Sequence, residues 1–439
     1  MRKTAWLVIL CLMIGLLMGG YAQAQEEEVT LTISWAAWAP MDTLIALAED
    51  FTAKTGIKVV GAPIPWPQYH DKVFTEFASG KTSFDIVLPD SQWVGEAVVG
   101  GHLLDITDWF NEHVNKDDFY EAFIKSFCEY PDGSGKYYGV PVLGDFFGMA
   151  YRTDLFNDPK EKEAFLKKYG YELKPPETWS QLKDIAEFFT RPEQNLYGVA
   201  LWQAPIPSGG LTDEFLAVFW SFGGKLWDPE TKRVKGILNN EIGKAAARYW
   251  VDLYKYCPPG STNYSMDEAN TAMQQGLVAM MGTYLAFYPG LIDPDLSLYW
   301  DKIDFFPTPR EKEWWVELGG QGMSISAYTP HKKEALMFLE WWLSPETQWK
   351  WAQAGMFSCM KSIVEDDRYL EFAPVNKVAR ASYPRLRDYW EIPEYNEMGT
   401  VMAEILNAAV LGKYTPEEAM DLIAEKHEEI LERAGYYKK

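Results

Sequence analysis

The sequence predicts an α/β protein built as two lobes packed side by side. Three observations carry this. From Val29 onward, short apolar runs of strand length alternate with amphipathic stretches of helix length. The chain of 439 residues is long enough for more than one core. It has no internal repeat and no long linker that would string those cores apart.

Val29, Leu31 and Ile33 alternate with Thr30, Thr32 and Ser34, the period of a half-buried strand. Residues 41–54 place Leu44, Leu47, Ala48 and Phe51 on one helical face, and Gly56 ends the helix. A second strand spans 57–60, a helix over 69–79 stops at Gly80, and a third strand spans 84–88. Alternation of this kind predicts a parallel sheet. Residues 136–141 and 148–152 read as extended. A charged insert with a short helix fills 157–174, and Pro175-Pro176 breaks it. Thr178 with Gln181 predicts a capping box opening a helix to Phe189, and a strand follows over 197–201. Helices are expected at 215–222, 241–256 and 269–275, the last stopped by Gly276, and then a buried strand at 278–281. Ser344-Pro345 and Thr415-Pro416 put proline at a first helical position. The second carries a full capping box, with Ala419, Leu422, Ile423, Ile430 and Leu431 as its apolar face.

Composition narrows the function. With 47% apolar and 24% charged residues the chain is globular and neither disordered nor low in complexity. Lys and Arg number 41 against 63 Asp and Glu, a net charge of −22. Such a chain is repelled by phosphate backbones and anionic lipid, which excludes nucleic acid as a partner. Arg2 and Lys3 precede an apolar run over 5–18, then Gly19-Gly20 and Ala22-Gln23-Ala24. This is the form of an export signal over residues 1–24, cleaved after Ala24, and implies a periplasmic location. The run is shorter than the ~20 residues that span a bilayer. Cys11 lies inside the run and not at a cleavage point, so no lipid anchor is expected. Cys128, Cys257 and Cys359 remain after cleavage and read as small buried apolar residues, with one Cys128–Cys257 bridge open by count alone.

Catalytic and metal signatures are absent: there is no G-x-S-x-G, no H-E-x-x-H and no complete phosphate loop. Gly133-Ser134-Gly135-Lys136 is only a fragment of the last. His70, His102, His113, His331 and His427 have no ligand spacing and read as surface or capping residues. No cofactor is implied. Aromatic residues are abundant, with 19 Trp, 25 Tyr and 23 Phe. Trp35, Trp38, Trp66, Trp93, Trp202, Trp227, Trp314 and Trp315 sit near Gly, Pro or strand ends. Trp220, Trp250, Trp341, Trp342, Trp349 and Trp351 read as helix-face core. A flat indole covers the C–H face of a sugar ring, and carboxylates or amides take its hydroxyls. An exported acidic chain rich in loop Trp therefore favours a carbohydrate ligand.

Open α/β sheets bind ligands at the carboxyl ends of their strands. Those ends fall at Trp38; at Asp90, Ser91, Gln92 and Trp93; at Trp202 and Gln203; and at Tyr284. Gly319, Gly320 and Gln321 offer backbone for close approach to a ligand. Asp90 can equally cap the helix after it, and Asp145 can equally serve a turn.

Seven segments occur in an order that matches a known family. They are Phe77-Ala78-Ser79-Gly80 with Phe84 to Asp90; Gly101 to Ile106; Gly135 to Pro141 with Tyr151 to Phe156; Pro176 to Trp179; Gln275 to Met280; Gly319 to Ile325; and Lys332 to Ala335 with Ser344-Pro345-Glu346. In this order the chain resembles the extracellular solute-binding proteins of ABC importers, in the carbohydrate-binding group that includes maltose-binding protein. The resemblance covers the chain after the signal. It departs at Phe357-Ser358-Cys359-Met360, where the family usually has a proline, and in the long insert over 157–174. It implies a periplasmic-binding-protein-like type II fold, two α/β lobes with a ligand cleft between them that closes by hinge motion. Residues 25–143 with 321–363 would form the N-terminal lobe, and 144–320 with 364–439 the C-terminal lobe, with crossings near Gly144, Gln321 and Val364. It places a ligand carboxylate at Asp145. The implied function is capture of a sugar, oligosaccharide or polyol by a monomer that delivers it to the transmembrane subunits of a permease. Two other readings stay open: a secreted glycoside hydrolase with paired carboxylates, and a binder of the same fold for a non-sugar solute such as a polyamine.

Overall fold

The computed structural model describes residues 29–206 and 208–437; the expected export signal lies outside them. Strands β1 (Thr30–Ala36), β2 (Lys58–Ile64), β3 (Ile86–Val87), β4 (Gly139–Leu143) and β10 (Gln321–Ile325) form one sheet in the order β2-β1-β3-β10-β4. Strands β5 (Phe147–Arg152), β6 (Tyr197–Ala200), β7 (Val278–Tyr284) and β8 (Ile303–Pro307) form a second, in the order β6-β7-β5-β8. A short parallel pair joins β9 (Val316–Glu317) to β11 (Leu386–Arg387).

The sheets are mixed, which corrects the parallel sheet expected from the sequence. β1 runs parallel to β2 and β3, but β10 is antiparallel to both β3 and β4. In the second sheet β5 is antiparallel to β7 and β8. The reason is topological. β10 enters the first sheet on the chain's way back from the second, so the crossing and not a βαβ unit sets its direction.

β1 is half-buried only at its start, and from Ile33 onward both faces are covered. The helix Trp66–Ala78 seals its polar Ser34: the Tyr69 hydroxyl lies 2.9 Å from the Ser34 carbonyl and 3.0 Å from that of Leu88. Two later helices return to the first sheet. Phe338 of Lys332–Trp342 meets Phe51 edge to face at 5.2 Å. The Trp342 indole donates to the Pro141 carbonyl at 3.0 Å. The second sheet is covered by the helices Trp179–Phe189, Met266–Gln274 and Asn376–Ser382, and the helices Leu211–Ser221, Glu241–Leu253, Tyr395–Val410 and Pro416–Ala434 pack on one another beside it. Leu211–Ser221 is apolar nearly all round and buried along its whole length, which carries Asp213 and Glu214 inside with it.

Local signals explain several element ends. The Thr415 capping box forms in full, with Glu418 N–H to Thr415 Oγ1 at 3.1 Å and Thr415 N–H to Glu418 Oε2 at 2.8 Å. The Thr178 box forms by half: the Gln181 side chain accepts instead from the Glu177 N–H at 2.9 Å. Cys128, Cys257 and Cys359 are all free and buried, so no Cys128–Cys257 bridge exists. His427 is neither a surface nor a capping residue. It is fully buried, with Nε2 2.9 Å from the Met398 carbonyl. No described helix is long and apolar enough to cross a membrane.

Candidate functional site

The chain passes from β4 to β5 through Gly144, Asp145 and Phe146, and returns from β9 to β10 through Leu318, Gly319 and Gly320. Gly319 N–H bonds the Asp145 carbonyl at 3.1 Å and ties the two crossings together. Where strand ends converge on them lies a cavity of about 190 Å³. At ~30 Å³ per water this is room for roughly six waters, the scale of one monosaccharide or linear polyol.

β1 delivers Ala36, Ala37 and Trp38 to the wall, the segment after β3 delivers Asp90 and Gln92, and β7 delivers Tyr284. Asp145, Gly319, Gly320 and Gln321 come from the crossings. Four of the expected residues stand away from the wall. Ser91 is buried with its hydroxyl unpartnered. Trp93 stacks on Trp66 at 5.2 Å. Trp202 is fully buried, edge-on to Phe147 at 5.2 Å and Tyr284 at 5.5 Å, and Gln203 is buried beside it. The loop after β6 is held one layer down because Glu214 of Leu211–Ser221 accepts the Trp202 N–H at 2.7 Å. The stacking faces expected of Trp93 and Trp202 are thus turned into packing.

The wall also holds residues that the sequence did not single out for this site: Trp66, Pro67, Ser208, Gly209, Met266, Asp267 and Phe287. Trp66 opens one helix and Met266 another, so the only available signal was a ring or carboxylate at a helix start. Trp38, propped edge-on by Trp35 at 5.4 Å, tilts against Phe287 at 5.8 Å. Trp38, Asp267 and Phe287 also border an outer recess of about 420 Å³, so they mark the mouth of the cavity.

Asp90 takes the capping role and also lines the cavity. Its Oδ1 accepts from the Ser91 N–H at 3.2 Å, capping the turn Ser91–Trp93, and from the Gln321 side-chain amide at 3.2 Å. Asp145 Oδ1 accepts two backbone N–H groups, from Phe146 at 2.8 Å and Ala286 at 2.9 Å. Behind the wall, Asp213 accepts the Gly209 N–H at 2.6 Å and Glu317 accepts the Tyr284 hydroxyl at 2.8 Å. Burial pushes these carboxyls up: Asp90 to about 8, Asp145 and Asp213 to about 7, Glu214 to about 8 and Asp388 to about 6. Glu317 is also pushed well up.

These shifts set a pH dependence. Unfolded carboxyls titrate near pH 4. Between there and about pH 6–8 the native state holds more protons than the unfolded chain, so stability is lost as pH rises through that window. His427, pushed down to about 4 by burial, acts oppositely, as does His102, also pushed down by burial, and the two are outnumbered. The ligand-free protein should therefore melt higher at pH 5.5 than at pH 8.5 in a calorimetric scan. A melting temperature that rises toward pH 8.5 contradicts protonated buried carboxyls.

Chemically the cavity offers flat rings for C–H faces and side-chain oxygens for hydroxyl donors. No group of His, Cys, Asp and Glu among the described residues is arranged to hold a metal ion. The phosphate-loop fragment is a hairpin turn in which Gly135 N–H donates to Glu129 at 2.6 Å.

The model of the bacterial extracellular solute-binding protein family matches residues 35–349. The chain is 24% identical to a probable amino-acid ABC transporter periplasmic-binding protein of Sinorhizobium fredii, over 91% of this chain and 89% of that one. It is 24% identical to a mannitol-binding protein of Pseudomonas aeruginosa, over 69% and 71%. The solved structure of a maltose-bound MalE3 protein of T. maritima is similar with a TM-score of 0.77 and 25% identity, over 92% of this chain and 100% of that one.

Proposed function

Because the chain belongs to the bacterial extracellular solute-binding protein family, a family of binding proteins and not of enzymes, we propose that it captures a sugar or polyol between its lobes for an ABC importer. The observation that carries this reading is the cavity itself: Trp38, Trp66, Tyr284 and Phe287 supply rings, and Asp90, Gln92, Asp145 and Gln321 supply polar atoms beside them. Its size favours one monosaccharide or polyol over an oligosaccharide. The protein acts as a monomer and hands its solute to the transmembrane subunits of the permease.

Closure around a solute should change tryptophan emission, because Trp38 and Trp66 stand on the wall. Titration with monosaccharides and polyols should give a Kd of micromolar order or better, about −8 kcal/mol, with the solute recovered unchanged. Turnover at an enzyme-like rate, or no response to any sugar or polyol in emission or melting temperature, contradicts the reading.

The export signal is part of the same proposal. Mass spectrometry of protein recovered from outside the cytoplasm should find Gln25 at the N-terminus; a chain still carrying residues 1–24 contradicts cleavage after Ala24.

A further inference from the structure

The cavity is one-sided in charge, and the donors on its wall, such as the unpartnered Trp38 indole N–H, are neutral. Among its lining residues are three carboxylates, Asp90, Asp145 and Asp267, and neither a lysine nor an arginine. Its two amides add to the imbalance. Gln321 gives its side-chain N–H to Asp90 at 3.2 Å, and Gln92 gives its own to Asp388 at 3.4 Å. In each pair the amide nitrogen faces the acid and the amide oxygen is left over. Both residues are only 4% exposed, and the oxygen of each has no partner. They line the cavity as buried acceptors awaiting a donor.

Behind this wall the same imbalance continues. One oxygen each of Asp213, Glu317 and Asp388 is buried without a partner. The cation nearest in register is Arg387, opposite Glu317 in the β9–β11 pair. Its guanidinium lies instead over the rings of Trp220 at 5.2 Å and Trp315 at 5.4 Å. Among the described residues none of Asp90, Asp145, Asp213, Glu317 and Asp388 has a lysine or arginine among the groups that perturb it. Buried without a counter-ion, these carboxyls keep their protons to higher pH, and a bound cation would favour their ionised form.

We propose that the solute carries a protonated amine as well as hydroxyls: an amino-substituted sugar or polyol of monosaccharide size. This rests on the sugar or polyol reading and narrows it. An ammonium brings a positive charge and three donors to the acids and the unpartnered amide oxygens, and its bonds to ionised carboxylates are charge-assisted. A carboxylated solute brings another acceptor and another negative charge, and is rejected.

The test is calorimetric titration of the full mature protein with two matched series on one carbon frame each. These are glucitol, 1-amino-1-deoxyglucitol and gluconate, and glucose, glucosamine and glucuronate. In at least one series the amine should bind about tenfold or more tighter than the neutral parent, and neither acid should bind. A neutral parent that binds as tightly as its amine in both series overturns the proposal and leaves the sugar or polyol reading standing. No binding by any of the six overturns the proposal, and the sugar or polyol reading falls with it only if the wider screen of sugars and polyols is also silent. Asp90→Asn, checked for folding by its melting curve, should narrow the ratio between amine and neutral parent, and Asp388→Asn should narrow it too. An unchanged ratio in both variants overturns the assignment of amine recognition to these carboxylates.

Discussion

Asp145→Ala should bind its sugar or polyol about ten- to a hundredfold more weakly than the native protein, and should also melt lower. The affinity loss follows from one hydrogen bond to a charged group, worth about 1.5–3 kcal/mol, at a factor of ten per 1.4 kcal/mol. The loss of stability follows from burial, because Asp145 is not an exposed cleft carboxylate. It is 2% exposed, and one of its oxygens holds the N–H groups of Phe146 and Ala286 together. Phe146 belongs to the crossing, whereas Ala286 follows β7 beside Tyr284 and Phe287. The side chain therefore fixes the rim that carries two of the rings. Alanine orphans two buried donors, at about 1–3 kcal/mol each. Asp145→Asn keeps an acceptor for them, so it should retain most of the stability and lose less affinity than alanine. Calorimetric titration and thermal melting of the two variants check this; native affinity in Asp145→Ala contradicts a ligand-facing role.

Gly320→Ala should cost the fold more than any other single methyl at the site. Gly320 has φ +91°, a conformation that a side chain resists, and an added Cβ would stand 2.0 Å from the Leu143 carbonyl oxygen and 2.8 Å from the Asp145 nitrogen. Both obstacles are backbone of the other crossing, which cannot rotate aside. Left-handed strain of about 1–2 kcal/mol adds to overpacking of about 1–3 kcal/mol. The melting temperature should fall by roughly 5 °C or more. Gly412→Ala is the control: its φ is +79°, but nothing lies within 4 Å of the added carbon. It should lose only the conformational part. Equal melting of the two variants contradicts the close approach of the crossings.

Much of the fold was legible in residue order. β1, β4, β5, β6 and β7 coincide with apolar runs, and Thr415-Pro416-Glu417-Glu418 marks its helix without ambiguity. Three helices between 94 and 127 were not legible, because six or seven residues are too few turns to show a period. β8 hides after Trp300-Asp301-Lys302 and ends on Pro307, just before Thr308-Pro309. β10 is small and polar, Gln321-Gly322-Met323-Ser324-Ile325, and is a strand because two neighbours enclose it. The site divides in the same way. Trp38 and Trp202 follow strands alike in the sequence, yet one meets the cavity and the other lies under Glu214, whose position depends on a helix that folds in from elsewhere. Glu317 and Asp388 carry no signal at all, since only the pairing of β9 with β11 brings their segments together.

The placement of β10 also governs the order in which the molecule can assemble. It sits between β3 and β4, so the first sheet has a gap in its middle until residue 325 has left the ribosome. Until then β3 and β4 each present an unpaired edge, and the helices of 332–353 that cover that sheet do not yet exist. The second sheet is built from consecutive strands and is complete at Pro307, but the first must wait for β10, and contacts this remote in sequence make for slow folding. A nascent chain so arranged cannot complete its first sheet until residue 325 has been made, and a chain with that sheet still open can be threaded through a membrane pore.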